Sequence, residues 1–517
     1  MKTYLCVYLG ATALAVLGTP VAIRVAAVLR ILDRPGLRKI HRAPIPRIGG
    51  AVIFAASLAM TASVLALDNR VGDALWSIRT QLVALLAGAS LVFVTGLIDD
   101  IRGLRVRTKL TAQVAAAAIV CAAGVRIDAV AVGRPFMFDL GPMAWPLTIL
   151  WIVGLTNAVN LIDGLDGLAA GICAVACAVV AVFSICYAQP VMAVIMLSLV
   201  GSLTGFLLFN FSPARIFLGD GGTYLLGFAL AAGSVLCTIK SATVVGLALP
   251  ALALGVPIFD TLLSIVRRGL QRRSVFAPDR SHIHHRLVDM GLQHHRAVLL
   301  IYGVTVVAAG AGLLMIVTHG AGQAVVFACV LLFLMLVFRS AGSVRLSDAI
   351  EAVRRNRAIA HEARQHRRQF EDAQLRLGET RTFAGWWRAV CQAADGLGLD
   401  RLWLYTTNRD GTPRSMAWRA PTSSGGATMG LTVPVPQRRA GVSMELRADV
   451  AVGASLESAG RRAALLSRLV GEHSVAHLPR AAGPHRSNPA PSIHALIAAR
   501  IDVPSAVDAA AGPGSMG

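Results

Sequence analysis

Eleven apolar runs of about 15–28 residues, separated by polar loops, fill the first two thirds of this sequence. They lie near 3–30, 48–67, 81–98, 110–126, 145–159, 169–187, 191–209, 223–240, 244–266, 298–317 and 322–338. In lipid, such a run satisfies its backbone polar groups only as a helix. The expected architecture is therefore an all-α polytopic membrane protein with about eleven transmembrane helices. Only Lys2 precedes the first run and no clean small-x-small site follows it, so that run reads as an uncleaved span.

Charge is segregated along the chain. Hydrophobic residues make up 55% and charged residues 15%, yet the last third is polar and Arg-rich. The net charge of +21 could suggest nucleic acid. Most arginines of the first two thirds sit in short loops between apolar runs, where the lipid bilayer and phosphorylated substrates are the nearer partners, and no nucleic-acid role is expected. Loops 31–47, 99–109 and 267–297 are basic and the alternate loops are not. The positive-inside rule then places the basic loops and the C-terminal third in the cytoplasm and the N-terminus outside. The eight cysteines form no CxxC pair or metal-type spacing and read as small hydrophobes.

Against this apolar background, acids stand at the ends of runs. Asp99 and Asp100 close one, Asn160, Asp163 and Asp166 follow another, and Asp220 and Asp260 mark two more. Charge near a bilayer costs free energy, so such groups are expected to meet water, a cation or a substrate. With the predicted orientation, the loops bearing Asp99/Asp100, Asp163/Asp166, Asp220 and the His-rich stretch share the cytoplasmic face. Consecutive helical residues point about 100° apart, so Asp99 and Asp100 should have different tasks. Asn157 to Gly167 (NAVNLIDGLDG) offers hard oxygen donors beside glycines that admit a phosphate or base. Phe217 to Thr223 (FLGDGGT) opens a run, so the backbone N–H groups of a helix start are expected beside Asp220 as an anion site. His282, His284, His285 and Arg286 are suited to a diphosphate, with Lys39, His41, Arg47 and Lys109 adding positive charge. A zinc set from these histidines with Asp279 or His294/His295 lacks cysteine and an evident scaffold helix. Residues 127–144 alternate like a short external hairpin.

Together these stretches resemble the polyprenyl-phosphate N-acetylhexosamine-1-phosphate transferase superfamily, in its bacterial undecaprenyl-phosphate GlcNAc-1-phosphate transferase branch. The matching signatures are Arg38 to His41 with Pro46 to Gly50, Leu97 to Asp100, Asn157 to Gly171, Phe217 to Thr223 and His282 to Arg286. The resemblance covers about 1–340. It implies Asp99 and Asp100 as the catalytic pair, and Asn160 and Asp220 as ligands of Mg²⁺, with Mn²⁺ as a substitute. It also implies that Lys109 binds phosphate, that Asp166 reads the uracil with Asp163 beside it, and that His282, His284, His285 and Arg286 contact the diphosphate or sugar. Lys39 and His41 join as substrate-binding residues. The implied substrates are undecaprenyl phosphate and a UDP-N-acetylhexosamine, with UMP released, in a bacterial inner membrane. Alternatives are a phospho-N-acetylmuramoyl-pentapeptide transferase, an ion-coupled transporter and an inactive scaffold. Intramembrane acids also occur in transporters, but there they usually lie near the midplane of repeated halves.

Beyond residue 340 a charged stretch with helical spacing (341–382) is expected beyond or along the membrane surface. It leads to a small cytoplasmic α+β C-terminal domain over 383–480, with strands near 402–405, 429–435 and 443–446, a turn at 408–411 and a helix near 461–470. A tail over 481–517 is expected to be disordered. This domain holds no catalytic constellation, its partner is not named by the sequence, and a homodimer is left open.

Overall fold

The computed structural model describes residues 1–33, 44–67, 70–131, 137–241, 245–270, 274, 282–342, 346–407, 412–421, 427–437, 443–452 and 455–478. The chain divides into two compact units, Met1–Arg355 and Asn356–Gly517. The turn expected at 408–411 and the tail beyond 480 lie outside the described residues.

The first unit is built from helices α1 (Lys2–Leu29), α2 (Gly49–Leu65), α3 (Arg70–Ser77), α4 (Arg79–Arg102), α5 (Val106–Ala122), α6 (Ala144–Ile162), α7 (Leu168–Cys186), α8 (Pro190–Asn210), α9 (Gly219–Ser241), α10 (Val245–Ala253), α11 (Gly255–Leu270), α12 (Ile283–Asp289), α13 (His294–Val317) and α14 (Ala321–Ser340). Each of the eleven apolar runs falls on one of these helices or, for 244–266, on the pair α10 and α11. Among the described residues, eight helices are long and apolar enough to cross a membrane: α1, α4, α6, α7, α8, α9, α13 and α14. The α10–α11 pair, bent by 77°, makes a ninth if counted as one span. Helix α2 is apolar but only 17 residues long, and α5, of equal length, opens with Arg107 and Lys109. The chain is a multi-pass membrane protein.

Two short antiparallel ladders decorate the bundle. Strands β1 (Leu32–Asp33) and β2 (Ile45–Pro46) pair next to the start of α2, and β3 (Ala129–Ala131) pairs with β4 (Met137–Asp139) in the hairpin expected between 127 and 144.

Helix packing in the membrane depends on close approach and internal polar pairing. Gly201 and Gly205 on α8 face Ala11 and Ala15 on α1. Hydroxyls of Thr19, Ser57, Thr61, Thr156 and Ser184 donate to carbonyls one turn back, so none is stranded in the apolar interior. Trp151 Nε1 donates to Ser234 Oγ across α6 and α9 at 2.9 Å. Helices α2, α4 and α9 approach closely as well. A Cβ on Gly96 of α4 would lie 2.5 Å from the Asp220 carbonyl oxygen and 2.5 Å from the Gly221 nitrogen, and one on Gly50 of α2 would strike the Gly222 backbone. Backbone meets backbone there, and this fixes the start of α9.

The second unit holds most of α15 (Leu346–Gly378), then α16 (Phe383–Gly396), strands β5 (Leu399–Thr407), β6 (Pro413–Arg419), β7 (Thr428–Pro434) and β8 (Ser443–Ala451), and α17 (Leu456–Glu472). The sheet order is β6-β5-β8-β7, antiparallel throughout. Leu402, Leu404, Leu446, Ala448 and Val450 alternate onto the buried face and meet Trp386, Leu466, Leu469 and, from α15, Phe370, Ala373 and Leu377. This is the expected α+β domain, with one strand more than the pattern showed. β6 (PRSMAWR) has no β-branched residue and is mostly exposed, so its membership comes from pairing with β5.

Candidate active site

Four helices deliver acids, amides and one lysine to the same end of the bundle. Asp99 and Asp100 stand in the last turn of α4, Lys109 in the first turns of α5, Asn160 in the last turn of α6, and Asp220 in the first turn of α9.

As the helical spacing required, Asp99 and Asp100 diverge. Asp100 turns to α9 and accepts backbone N–H groups from Asp220 at 3.0 Å and Gly221 at 3.1 Å, with Arg47 Nε 3.8 Å away. The helix start was expected to face a substrate anion. Two of its donors, the Asp220 and Gly221 N–H groups, are taken by this carboxylate, which the positive end of the α9 dipole stabilises. Asp99 accepts from the Leu104 N–H at 2.6 Å, pairs with the Lys109 ammonium and is in hydrogen-bond contact with the Asp220 carboxyl group. Lys109 Nζ also lies 3.6 Å from Asp220 Oδ2, so one ammonium serves two carboxylates.

Asn160 Oδ1 accepts from Thr223 Oγ1 at 2.7 Å, one turn into α9, which brings this amide oxygen to the Asp220 turn. Below it, Asn157 Nδ2 donates to Gln113 Oε1 on α5 at 2.6 Å. Asp163 follows the end of α6, is exposed, and lies within electrostatic reach of Arg47, Asp100 and Asp166. Asp166 Oδ2 accepts from the Ala214 N–H at 3.0 Å and so pins its loop to the α8–α9 connection. Tyr302 of α13 donates its hydroxyl to the Gly167 carbonyl at 2.5 Å.

The histidine cluster, expected to contact a diphosphate or sugar, is largely interior. His282 and His284 are 5% and 1% exposed, so both are interior groups. His282 Nδ1 is 2.7 Å from Asp260 Oδ2, and the other oxygen of Asp260 accepts from the Ile283 N–H at 2.9 Å, so α11 caps α12. His284 lies against Gly164, where a Cβ would collide with its Nε2. Its Nδ1 has no hydrogen-bond partner among the described residues. Burial pushes this imidazole down to about 3, helped by His285 and His282, so it stays neutral. Arg286 donates to the Gly342 carbonyl, and His285 packs on His284 with ring centroids 4.3 Å apart. Lys39 and His41 lie outside the described residues.

Sequence reasoning left several of these contacts unassigned. Arg47, Gln113, Thr223, Asp260 and Tyr302 all support the cluster. Arg47 was expected among the basic residues of its loop, but its Asp100 partner was not. Gln113 and Tyr302, inside apolar helices, had none beyond their polarity.

Among the described residues, no group of three or more His, Cys, Asp or Glu is arranged as a metal cage. What the site offers is two touching carboxyl groups, Asp99 and Asp220, with the Asn160 amide oxygen nearby. That donor set fits Mg²⁺, which takes one or two carboxylates and keeps most of its waters.

The chain matches the description Glycosyl transferase family 4 over residues 82–238, a stretch holding all five of these residues from Asp99 to Asp220. It is 41% identical over 287 residues to a Bacillus subtilis protein described as "Probable undecaprenyl-phosphate N-acetylglucosaminyl 1-phosphate transferase", covering 55% of this chain and 77% of that one. The chain belongs to this transferase family. The decaprenyl-phosphate N-acetylglucosaminephosphotransferase of Mycobacterium tuberculosis is 35% identical over 313 residues, or 55% of this chain and 76% of its own. The undecaprenyl-phosphate alpha-N-acetylglucosaminyl 1-phosphate transferase of Thermotoga maritima is 32% identical over 257 residues, 49% and 72% of the two chains. These relatives place the family member in the bacterial undecaprenyl-phosphate GlcNAc-1-phosphate transferase branch, as the motifs implied.

Proposed function

We propose that the protein transfers N-acetylglucosamine 1-phosphate from UDP-GlcNAc to undecaprenyl phosphate at the cytoplasmic face of a bacterial inner membrane. An oxygen of the lipid phosphate attacks the sugar-bearing phosphorus, the bond to the bridging oxygen breaks, and UMP leaves with that oxygen. The observation that carries this reading is the convergence of Asp99, Asp100, Lys109, Asn160 and Asp220 at one end of a membrane bundle. Transfer between two polyanions needs charge neutralisation and alignment more than covalent help from the protein. The names of the relatives favour this reading over the pentapeptide and transporter alternatives.

Asp99, Asp220 and Asn160 would hold Mg²⁺, which when bound neutralises diphosphate charge. Asp100 is a positioning residue, since both its oxygens are engaged by the α9 backbone. Lys109, shared by two acids, is placed to neutralise a phosphate. Asp163 and Asp166 with Gly164 form the adjoining loop for the uridine, and the neutral His284 supports that loop from below. Eleven spans, an external N-terminus and a cytoplasmic C-terminal unit complete the reading.

The test is reconstitution with undecaprenyl phosphate and UDP-GlcNAc labelled in the sugar. Label should enter the lipid fraction with an equal amount of UMP in the aqueous phase. Transfer from UDP-N-acetylmuramoyl-pentapeptide but not from UDP-GlcNAc would overturn the assignment.

A further inference from the structure

Helix α15 begins six positions after α14 ends, and the exposed side of α15 carries a regular charge pattern. Arg354, Arg357, His361, Arg364 and Arg368 recur at intervals of three and four. That spacing puts them on one face, a stripe about 21 Å long at 1.5 Å per residue. All five are exposed, whereas Phe370, Ala373 and Leu377 of the same helix enter the apolar core. Among the described residues, Arg354, Arg357, Arg364 and Arg368 have no carboxylate partner. Neighbouring arginines do: Arg367 pairs with Glu371, Arg461 with Glu457 and Arg468 with Glu472. The stripe ends at Glu371, whose charge is taken by Arg367.

We propose that this stripe rests on anionic phospholipid headgroups and holds α15 along the bilayer surface. Two observations choose a bilayer over an acidic protein. The stripe is tethered to the end of a long apolar helix, so headgroups are at high local concentration. A row of four arginines along one helix face also matches a flat field of phosphates better than the relief of a protein partner. Each arginine near such a surface is worth about fivefold in partitioning, so four give several hundredfold, and the attraction is screened by salt.

The experiment is hydrogen exchange of the full-length protein in nanodiscs of phosphatidylcholine alone, or with phosphatidylglycerol as about one lipid in three. Amides of 354–368 should exchange at least about tenfold more slowly in the anionic discs, and about 0.5 M salt should abolish the difference. The quadruple variant R354Q/R357Q/R364Q/R368Q should lose the slowing while exchange in β5 and β8 is unchanged. Equal exchange in the two discs, as an acidic protein partner or solvent exposure predicts, would overturn the proposal. So would persistence of the effect in the variant, or the same slowing by inorganic phosphate in phosphatidylcholine discs.

Discussion

Adding one methyl group at Gly96 should dismantle the candidate site without touching any of its side chains. In Gly96→Ala the new Cβ would lie 2.5 Å from both the Asp220 carbonyl oxygen and the Gly221 nitrogen, and neither atom belongs to a side chain that could rotate away. Restoring an ordinary contact of about 3.4 Å requires the first turn of α9 to retreat from α4 by about 0.9 Å. That movement stretches the two N–H donations to Asp100, now 3.0 and 3.1 Å, towards 4 Å, beyond useful hydrogen bonding. Overpacking costs about 1–3 kcal/mol, and each weakened bond to a charged acceptor forfeits part of its roughly 1.5–3 kcal/mol. Misplacement of Asp220 by nearly 1 Å should slow transfer about a hundredfold. The assay is the initial rate of lipid-linked label formation, with thermal unfolding in detergent followed in parallel. Gly154→Ala is the control, since nothing lies within 4 Å of a Cβ there. A Gly96→Ala protein with a rate within about twofold of its parent and an unchanged melting temperature would refute the claim that backbone contact sets the site.

Asp220→Ala should lose activity by orders of magnitude with near-normal expression, and excess EDTA should abolish transfer by the parent; full turnover in chelator would remove the metal from the proposal. His284 imposes a pH dependence on stability. Its folded-state value near 3 lies below the ordinary 6.5, so the unfolded chain binds the extra proton and stability falls on acidification through that window. The loss reaches about 2 kcal/mol by pH 5, and His284→Asn should flatten the slope in denaturant titrations at pH 5 and 7; an unchanged slope would assign it elsewhere. Asp260→Ala should expose α12 to exchange, because it removes both the cap and the partner of buried His282; protection equal to that of the parent would deny Asp260 this role.

The helices were legible because lipid leaves the backbone one solution, and each apolar run falls on a helix or the bent pair. Divergence of Asp99 and Asp100 was legible for a similar reason, since 3.6 residues per turn fixes it locally. The direction in which each diverged was not. That Asp100 seals the start of α9, and that Gly96 and Gly50 admit this contact, depends on pairs more than a hundred residues apart. The burial of the histidine stretch was not legible for the converse reason. Its composition is that of a solvated loop, and only the distant Asp260 makes an interior position affordable for His282. Strand β6 escaped notice because its pairing with β5 overrides a weak local preference.

The Asp260 cap also has a consequence for the order in which the protein is assembled. α12 is seven residues long, far too short to persist alone, and what holds its first turn is a carboxylate more than twenty residues earlier on α11. The acid cluster is complete once α9 is in place, but the histidine cluster cannot close until α11 has been inserted and turned. During synthesis the two halves of the site are therefore made at different times. A nascent chain arrested after α9 already carries the acids and Lys109 yet has an open floor beneath Gly164, so an intermediate of this kind should be the form of the protein most exposed to proteolysis.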